Sequence, residues 1–495
     1  RAKAALETLG IKIPSQKIIL SLLPAEVKKD GSQFDLPFAV ALASLCSDSC
    51  PSVDLNQWLF AAELGLDGTL RPVRGVVSFA IAAVSQQMHG LVVSRQNIDE
   101  LQVVVNSVPR PNNQPLQLYG FENLEEVLSW IFSQKSTHTP TKLPIVKPSS
   151  VVVKDSSQEL SCGEPNFDDM VLTPELELIA KTCATGLHSL MLYGPPGTGK
   201  SMFSSRLASI MPPIAPTQQI DALRIYSAHA PQLPKSLLAG RPPFRSPHHQ
   251  ASTAAILGIP DTPGEIALAH GGILFLDEMP EFRRDIIESL REPLEMGHIR
   301  VSRAKRKVFW QSKFILVAAC NNCPCGWFAS KKKRCICPIN QIQAYRRRLS
   351  GPILDRIDIH MNMREDVINQ SSFLGSLVDQ KSNKQKTAEF SSCVKQAQEF
   401  SMERNKDFGL LFNRDLSGEQ LIVATGLCKK NLAKYVKPLT EKLTSYRSMI
   451  RLLRIARTLA DLETKPTIEM DHIHQALQWS QEISSKKRGD TAIGL

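Results

Sequence analysis

The run Gly194-Pro195-Pro196-Gly197-Thr198-Gly199-Lys200-Ser201 constrains the fold of this chain more than any other feature. It follows the apolar stretch Leu190–Tyr193 and leads into the helix-like MFSSRLASI. Glycines let successive backbone N–H groups curl around a phosphate, and the start of a helix adds the positive end of its dipole. In that context Lys200 reaches the β- and γ-phosphates of a nucleotide and Ser201 ligates magnesium. The eight residues therefore predict an ATP-binding loop between a parallel strand and a helix, in an α/β domain.

Downstream, the apolar stretch 272–276 ends in Asp277 and Glu278. Such strands are common by themselves, but one following a phosphate loop reads as the second half of the same site. Asp277 then holds magnesium through its water shell, and Glu278 polarises the attacking water as general base. A third apolar stretch, 314–318, leads to the neighbouring asparagines Asn321 and Asn322.

Four further runs carry a resemblance. They are Phe244-Arg245-Ser246-Pro247-His248-His249, the stretch GGILFLDEMPEF around Asp277, SGPILDRID around Arg356, and ARTLADL from Ala456. Together they resemble the magnesium-chelatase-like AAA+ family in its ComM/YifB branch, over nearly the whole chain. The resemblance implies a P-loop ATPase core with a C-terminal helical lid, assembled as a homo-hexamer and working with ATP and Mg2+. It implies that Asn321, in preference to Asn322, orients the water. Arg356 is then the finger reaching a neighbour's γ-phosphate, with a surface ion pair to Asp355 or Asp358 as the alternative. Arg447 is the lid arginine expected to act in cis, while some of Arg451, Arg454 and Arg457 are structural. The activity it implies is a DNA helicase driving branch migration as imported DNA is integrated in natural transformation. His248 and His249 remain open between contact with DNA, with a ligand and with their own loop.

The N-terminal part resembles the Lon-protease-like (S5-fold) α/β domain. Lon-type cleavage needs a serine shortly after a Lys-Asp-Gly turn and a lysine on a later helix. Here Lys29-Asp30-Gly31 is followed by Ser32 and Gln33, with Gln33 at the nucleophile's place and Val77 at the lysine's. The domain is therefore expected to be catalytically dead, with Ser32 and Lys28 or Lys29 as the alternative dyad.

Two basic segments adjoin the ATPase motifs. Cys323-Pro324-Cys325 and Cys335-Ile336-Cys337 enclose Lys331, Lys332, Lys333 and Arg334. Four thiolates at this spacing can close a tetrahedral zinc site, with free thiols or a labile disulfide as alternatives. The stretch 297–310 alternates around Arg300, Arg303, Lys305, Arg306 and Lys307 and reads as a β-hairpin. Those side chains suit single-stranded, branched or duplex DNA, and a solvated hairpin tip is the alternative.

Length and composition agree with a multi-domain protein. At 495 residues the chain exceeds one hydrophobic core. The boundaries read from the sequence are an N-terminal domain at 1–133, a Ser/Thr/Pro/Lys-rich linker at 134–168, the ATPase core at 169–365, a helical lid at 366–485 and a tail at 486–495. A net charge of +11 favours a polyanionic partner. Eleven cysteines, an odd count, argue against a disulfide framework. No apolar run is long enough for a membrane span, so a cytoplasmic protein with no membrane partner is expected. Two rivals to the DNA translocase are a magnesium-chelatase-type metal-insertion motor and an ATP-dependent protease motor.

Overall fold

The structure, a computed structural model, describes residues 1–14, 17–22, 31–47, 49–107, 116–132, 165–303, 306–328, 330–363, 385–409, 412–427, 435 and 445–480. Most of the expected linker, the start of the expected lid and the tail lie outside the described residues, as do Lys28, Lys29 and Lys305. None of the described helices is long and apolar enough to cross a membrane. The chain divides into two compact units: residues 1–155 with 215–240 and 261–263, and residues 156–214 with 241–260 and 264–495.

The first unit is α/β. Strands Trp58–Ala61, Gly90–Ser94 and Gln117–Phe121 form a parallel sheet with Gly90–Ser94 in the middle. That middle strand is buried at every position, as its unbroken apolar run GLVVS requires. Helices Asp35–Cys46 and Leu124–Phe132 supply much of the core through Leu36, Val40, Val127 and Ile131. Trp58 stacks on Tyr119 at 5.0 Å and meets Trp130 edge-on at 4.9 Å. One helix arrives from the middle of the chain: Pro216–His229 buries Ala222, Leu223, Ile225 and Tyr226 in this unit. Ser227 accepts the Gly75 N–H at 2.7 Å through its carbonyl, and the Pro231 carbonyl accepts from Asn97 at 3.4 Å. Residues 215–240, which fall within the expected core at 169–365, thus group with the first unit.

The second unit is built on five parallel strands, in the order Ile359–Asn362, Leu190–Tyr193, Ile315–Cys320, Ile273–Leu276 and Phe244–Arg245. Ile273–Leu276 and Ile315–Cys320 are buried throughout, being covered on both faces. Thr173 caps helix Pro174–Gly186, accepting the Leu176 N–H at 3.3 Å, with Pro174 in the first turn. Phe167 meets Phe203 and Phe390 at 5.6 Å each, so the packed core of this unit begins there.

Helices Lys386–Asn405, Gly418–Ala424, Tyr446–Leu462 and Met470–Gln478 continue the same apolar cluster through Phe390, Leu421, Leu452 and Ile473. Within it, the fully buried Arg457 pairs with Asp461 at 2.9 Å and donates to the Pro466 carbonyl at 3.0 Å. Asn413 donates to Asp461 at 2.7 Å. The ARTLADL run is therefore a buried polar lock that fixes helix packing.

Candidate nucleotide site

The ends of the parallel strands converge on the phosphate loop, as the crevice beyond the carboxyl ends of such a sheet should. Gly194 lies so close to the Met363 carbonyl that a Cβ would fall 2.4 Å from its oxygen, and Gly199 has φ +81° where the loop turns into helix Lys200–Leu207. Neither position tolerates a side chain. Buried Lys200 folds back over the loop, donating from Nζ to the carbonyls of Gly194 at 2.7 Å and Pro195 at 2.8 Å. Thr198 likewise donates to the Pro195 carbonyl at 3.0 Å. Burial lowers the pKa of Lys200, while Asp277, Cys320 and Glu278 act against that shift.

Four further residues, Ser201, Asp277, Asn321 and Glu278, complete the pocket. Ser201 Oγ donates to Asp277 Oδ2 at 2.6 Å, so the two expected magnesium ligands already converge. Between them they would hold the ion, which supplies charge neutralisation at the phosphates when bound. Asn321 Oδ1 accepts from Lys200 Nζ at 3.1 Å, whereas Asn322 is turned away and donates to the Phe328 carbonyl at 3.1 Å. Glu278 adopts φ +49°, a left-handed conformation that costs a non-glycine residue of order 1 kcal/mol. Its carboxylate lies 3.9 Å from His249 Nδ1, and the His249 ring lies 4.2 Å from that of His248. Sequence reasoning left this histidine open. The available signal is position, because His249 lies just beyond Phe244–Arg245, the strand beside Ile273–Leu276. Arg245 in the same run is structural, gripping Glu265 through two bonds of 2.6 Å.

Residues 167–371 match the family described as magnesium chelatase, subunit ChlI. Residues 1–97 match subunit ChlI of Mg-chelatase, and residues 384–480 match the C-terminal part of that subunit. The competence protein ComM of Haemophilus influenzae is 34% identical over 96% of this chain and 88% of its own length. This chain belongs to the magnesium-chelatase-like AAA+ ATPase family, in its ComM/YifB branch. Two other relatives, both uncharacterised, are YifB of Escherichia coli and a protein of Mycobacterium tuberculosis. They are 32% and 31% identical over 97% of this chain, covering 88% and 90% of their own lengths.

Against the expectations for this family, the arginines divide sharply. Arg356 donates to Glu295 at 2.7 Å, and Arg447 donates to the same carboxylate. Arg356 first and Arg447 second hold the Glu295 pKa below the ordinary carboxylate range. Neither Asp355 nor Asp358 is the partner of Arg356, since Asp358 accepts the Ser189 N–H at 2.9 Å and faces His188 at 3.5 Å. Arg447, expected to serve its own chain's nucleotide, thus lies beside the finger candidate Arg356, both held by Glu295. Arg451 donates to the Asp355 carbonyl at 2.8 Å and Arg454 to the Leu416 carbonyl at 2.6 Å, which makes both structural. Glu295 was missed because nothing local distinguishes it from other helix-surface acids.

The expected hairpin is present as His298–Arg303 paired antiparallel with Arg306–Gln311. Ile299 faces Trp310 and Val301 faces Val308, and Ile299, Val301 and Trp310 pack against the sheet's core. The opposite face carries His298, Arg300, Lys307 and the exposed Phe309, with the Arg300 guanidinium 5.2 Å from the Phe309 ring. The two strands pair as far as the backbones of Arg303 and Arg306.

The four cysteines come together. Every pair of sulfurs among Cys323, Cys325, Cys335 and Cys337 lies within 4.8 Å. Three pairs lie at 3.3, 3.6 and 3.7 Å, close to the ~3.8 Å edge of a zinc tetrathiolate with bonds of about 2.3 Å. Backbone N–H groups of Phe328 and Cys337 donate to the Cys323 and Cys335 sulfurs at 3.3 and 3.4 Å, as would stabilise thiolates holding a metal. Burial pushes the Cys323 thiol up to about 12; at Cys325 burial is outweighed by the Trp327 and Ile336 amides, and the thiol falls to about 6. Lys331, Lys332, Lys333 and Arg334 are all exposed on this knuckle.

In the first unit, Ser32 donates to a Glu63 carboxylate, and Val77 is fully buried. The alternative dyad lysines lie outside the described residues.

Proposed function

We propose that this chain is the subunit of a homo-hexameric, ATP-driven DNA motor of the cytoplasm that promotes branch migration as DNA is integrated in natural transformation. The observation that carries the reading is the hairpin, whose apolar face is fixed to the ATPase core while Arg300, Lys307 and Phe309 face outward. A basic strand pair with an exposed ring suits single-stranded or branched DNA, since cations meet phosphates and an aromatic face stacks on bases. The name of the Haemophilus relative, a competence protein, points the same way.

In the ATP site, Lys200 binds the β- and γ-phosphates, Asn321 orients the attacking water and Glu278 takes its proton. Arg356 is offered to the nucleotide of the neighbouring subunit, while Arg447, which shares Glu295 with it, serves the nucleotide of its own chain. The four thiolates hold a zinc ion that staples the Lys331–Lys333 loop, with Arg334, into a second phosphate-gripping element. A protease motor draws no support from Ser32, whose hydroxyl is engaged by Glu63.

The test is ATP turnover by the purified protein with and without a four-way DNA junction, with junction migration read on gels. Turnover stimulated by DNA, together with migration that needs ATP, is expected. Unstimulated turnover and a static junction would sink the proposal.

A further inference from the structure

The cysteine knuckle is joined to the ATP site at two points. It begins two residues after Asn321, whose side chain holds Lys200 at 3.1 Å. Its Gly326, at φ +83°, is pressed against the phosphate loop so closely that a Cβ would lie 2.6 Å from Cγ of Pro196 and 4.0 Å from Cγ of Asn321. The Gly326 N–H closes a turn on the Cys323 carbonyl at 2.9 Å, so the glycine's position is set by the residues that carry the first two sulfurs. From the other side, Asn322 donates to the Phe328 carbonyl at 3.1 Å, and the Arg346 guanidinium lies 5.2 Å from the Phe328 ring.

Among the described residues from Cys323 to Cys337 only Cys323 and Gly326 are buried, so the knuckle has almost no core of its own. Most of its shape must therefore come from whatever ties the sulfurs together. A segment held in that way, and wedged against Pro196, transmits its order directly to the loop that wraps the phosphates.

We infer that the tetrathiolate knuckle is a metal-dependent brace of the nucleotide site: zinc at Cys323, Cys325, Cys335 and Cys337 holds Gly326 against Pro196 and fixes Asn321 beside Lys200. Zinc occupancy then sets nucleotide affinity, independently of any contact the knuckle's lysines make with DNA. The inference rests on the zinc reading given above and adds that the metal controls the ATP pocket.

The experiment uses the full-length protein, elemental analysis for zinc and a fluorescent ATP analogue titrated without DNA. Zinc is removed in two ways, by the double substitution Cys335→Ser/Cys337→Ser and by a thiol-binding mercurial that is afterwards reversed with dithiothreitol and added zinc. A third protein, Gly326→Ala, keeps all four ligands but places a methyl group against Pro196. The expected result is about one zinc per chain in the native protein. Affinity for the analogue should fall at least tenfold on either route of removal and return when zinc is restored. Gly326→Ala should keep its zinc and also lose affinity. If the metal-free proteins bind the analogue as the native protein does, the brace is refuted while the zinc site stands. Native protein without zinc overturns both.

Discussion

The Lys200 pocket and the neighbourhood of Ser32 are both places where the sequence suggests hydrolytic chemistry, and they differ in how their polar groups are disposed. Around Lys200, an ammonium, a hydroxyl, a carboxylate and an amide from three separate strand ends are brought to one point. Glu278 there is held in a strained backbone conformation. Near Ser32 a hydroxyl is paired with an acid, and the position expected to carry a lysine is a buried valine. The difference teaches that groups of both charges are concentrated around Lys200, where a ligand's charge would complete the balance. Near Ser32, by contrast, the hydroxyl is already satisfied by Glu63.

The sharpest way to break this comparison is at the pocket itself. Lys200→Ala should abolish nucleotide binding, and Glu278→Gln should keep binding while cutting turnover by about 10²–10⁴-fold. Stopped-flow binding and phosphate release distinguish the two, and normal turnover in either variant would contradict the assignment.

Acid should separate the units next. Burial first, then Lys313 and Arg414, push the pKa of His270 down from 6.5 to about 4, and burial takes His360 down to about 3. Below pH 6.5 the unfolded imidazoles bind protons that the folded ones refuse, so stability of the ATPase unit falls as pH drops from 6.5 to 4. The loss is roughly 3 kcal/mol for His270. Glu100 in the first unit runs the opposite way. Burial raises its pKa from 4.5 to about 7, so its penalty on the folded state is relieved as pH falls through that range. Hydrogen exchange at pH 7.5 and pH 5 should show protection falling in the second unit and holding or rising in the first.

A smaller effect is expected at Glu295. Its pKa is depressed by Arg356 and Arg447, so its pairing is present above the ordinary carboxylate range and lost only as pH falls through the lower folded value. Because the pair is partly exposed, Glu295→Gln should cost under about 1 kcal/mol in thermal melting. On the ring assembly proposed above, its effect on turnover should appear only when subunits are assembled. The smallest effect is at Ser32, where Ser32→Ala should leave ATP turnover unchanged and casein undegraded, as in the native protein. Loss of a proteolytic activity in that variant would overturn the contrast drawn above.

Local sequence carried the phosphate loop, because a strand, a glycine turn and a helix start are contiguous and their chemistry is that of the backbone. It carried Asp277 and Glu278 for a similar reason, since a buried run ending in two carboxylates has few other uses beside such a loop. The hairpin and the thiolate cluster were also readable, one from its alternation and the other from its spacing.

Tertiary structure decided the choices between near-equivalent neighbours. Asn321 and Asn322 differ by one residue, and only the strand's register against Leu190–Tyr193 turns one to Lys200 and the other to Phe328. Arg447, Arg451, Arg454 and Arg457 share one helix, yet one reaches Glu295, two cap carbonyls and one is buried with Asp461. Helix Pro216–His229 buries Ala222, Leu223, Ile225 and Tyr226, and its destination depended on surfaces distant in the chain. Period and spacing specify which face of an element is apolar and which residue types sit together. The partner of each polar group is fixed by long-range packing, which adjacent positions in a sequence do not encode.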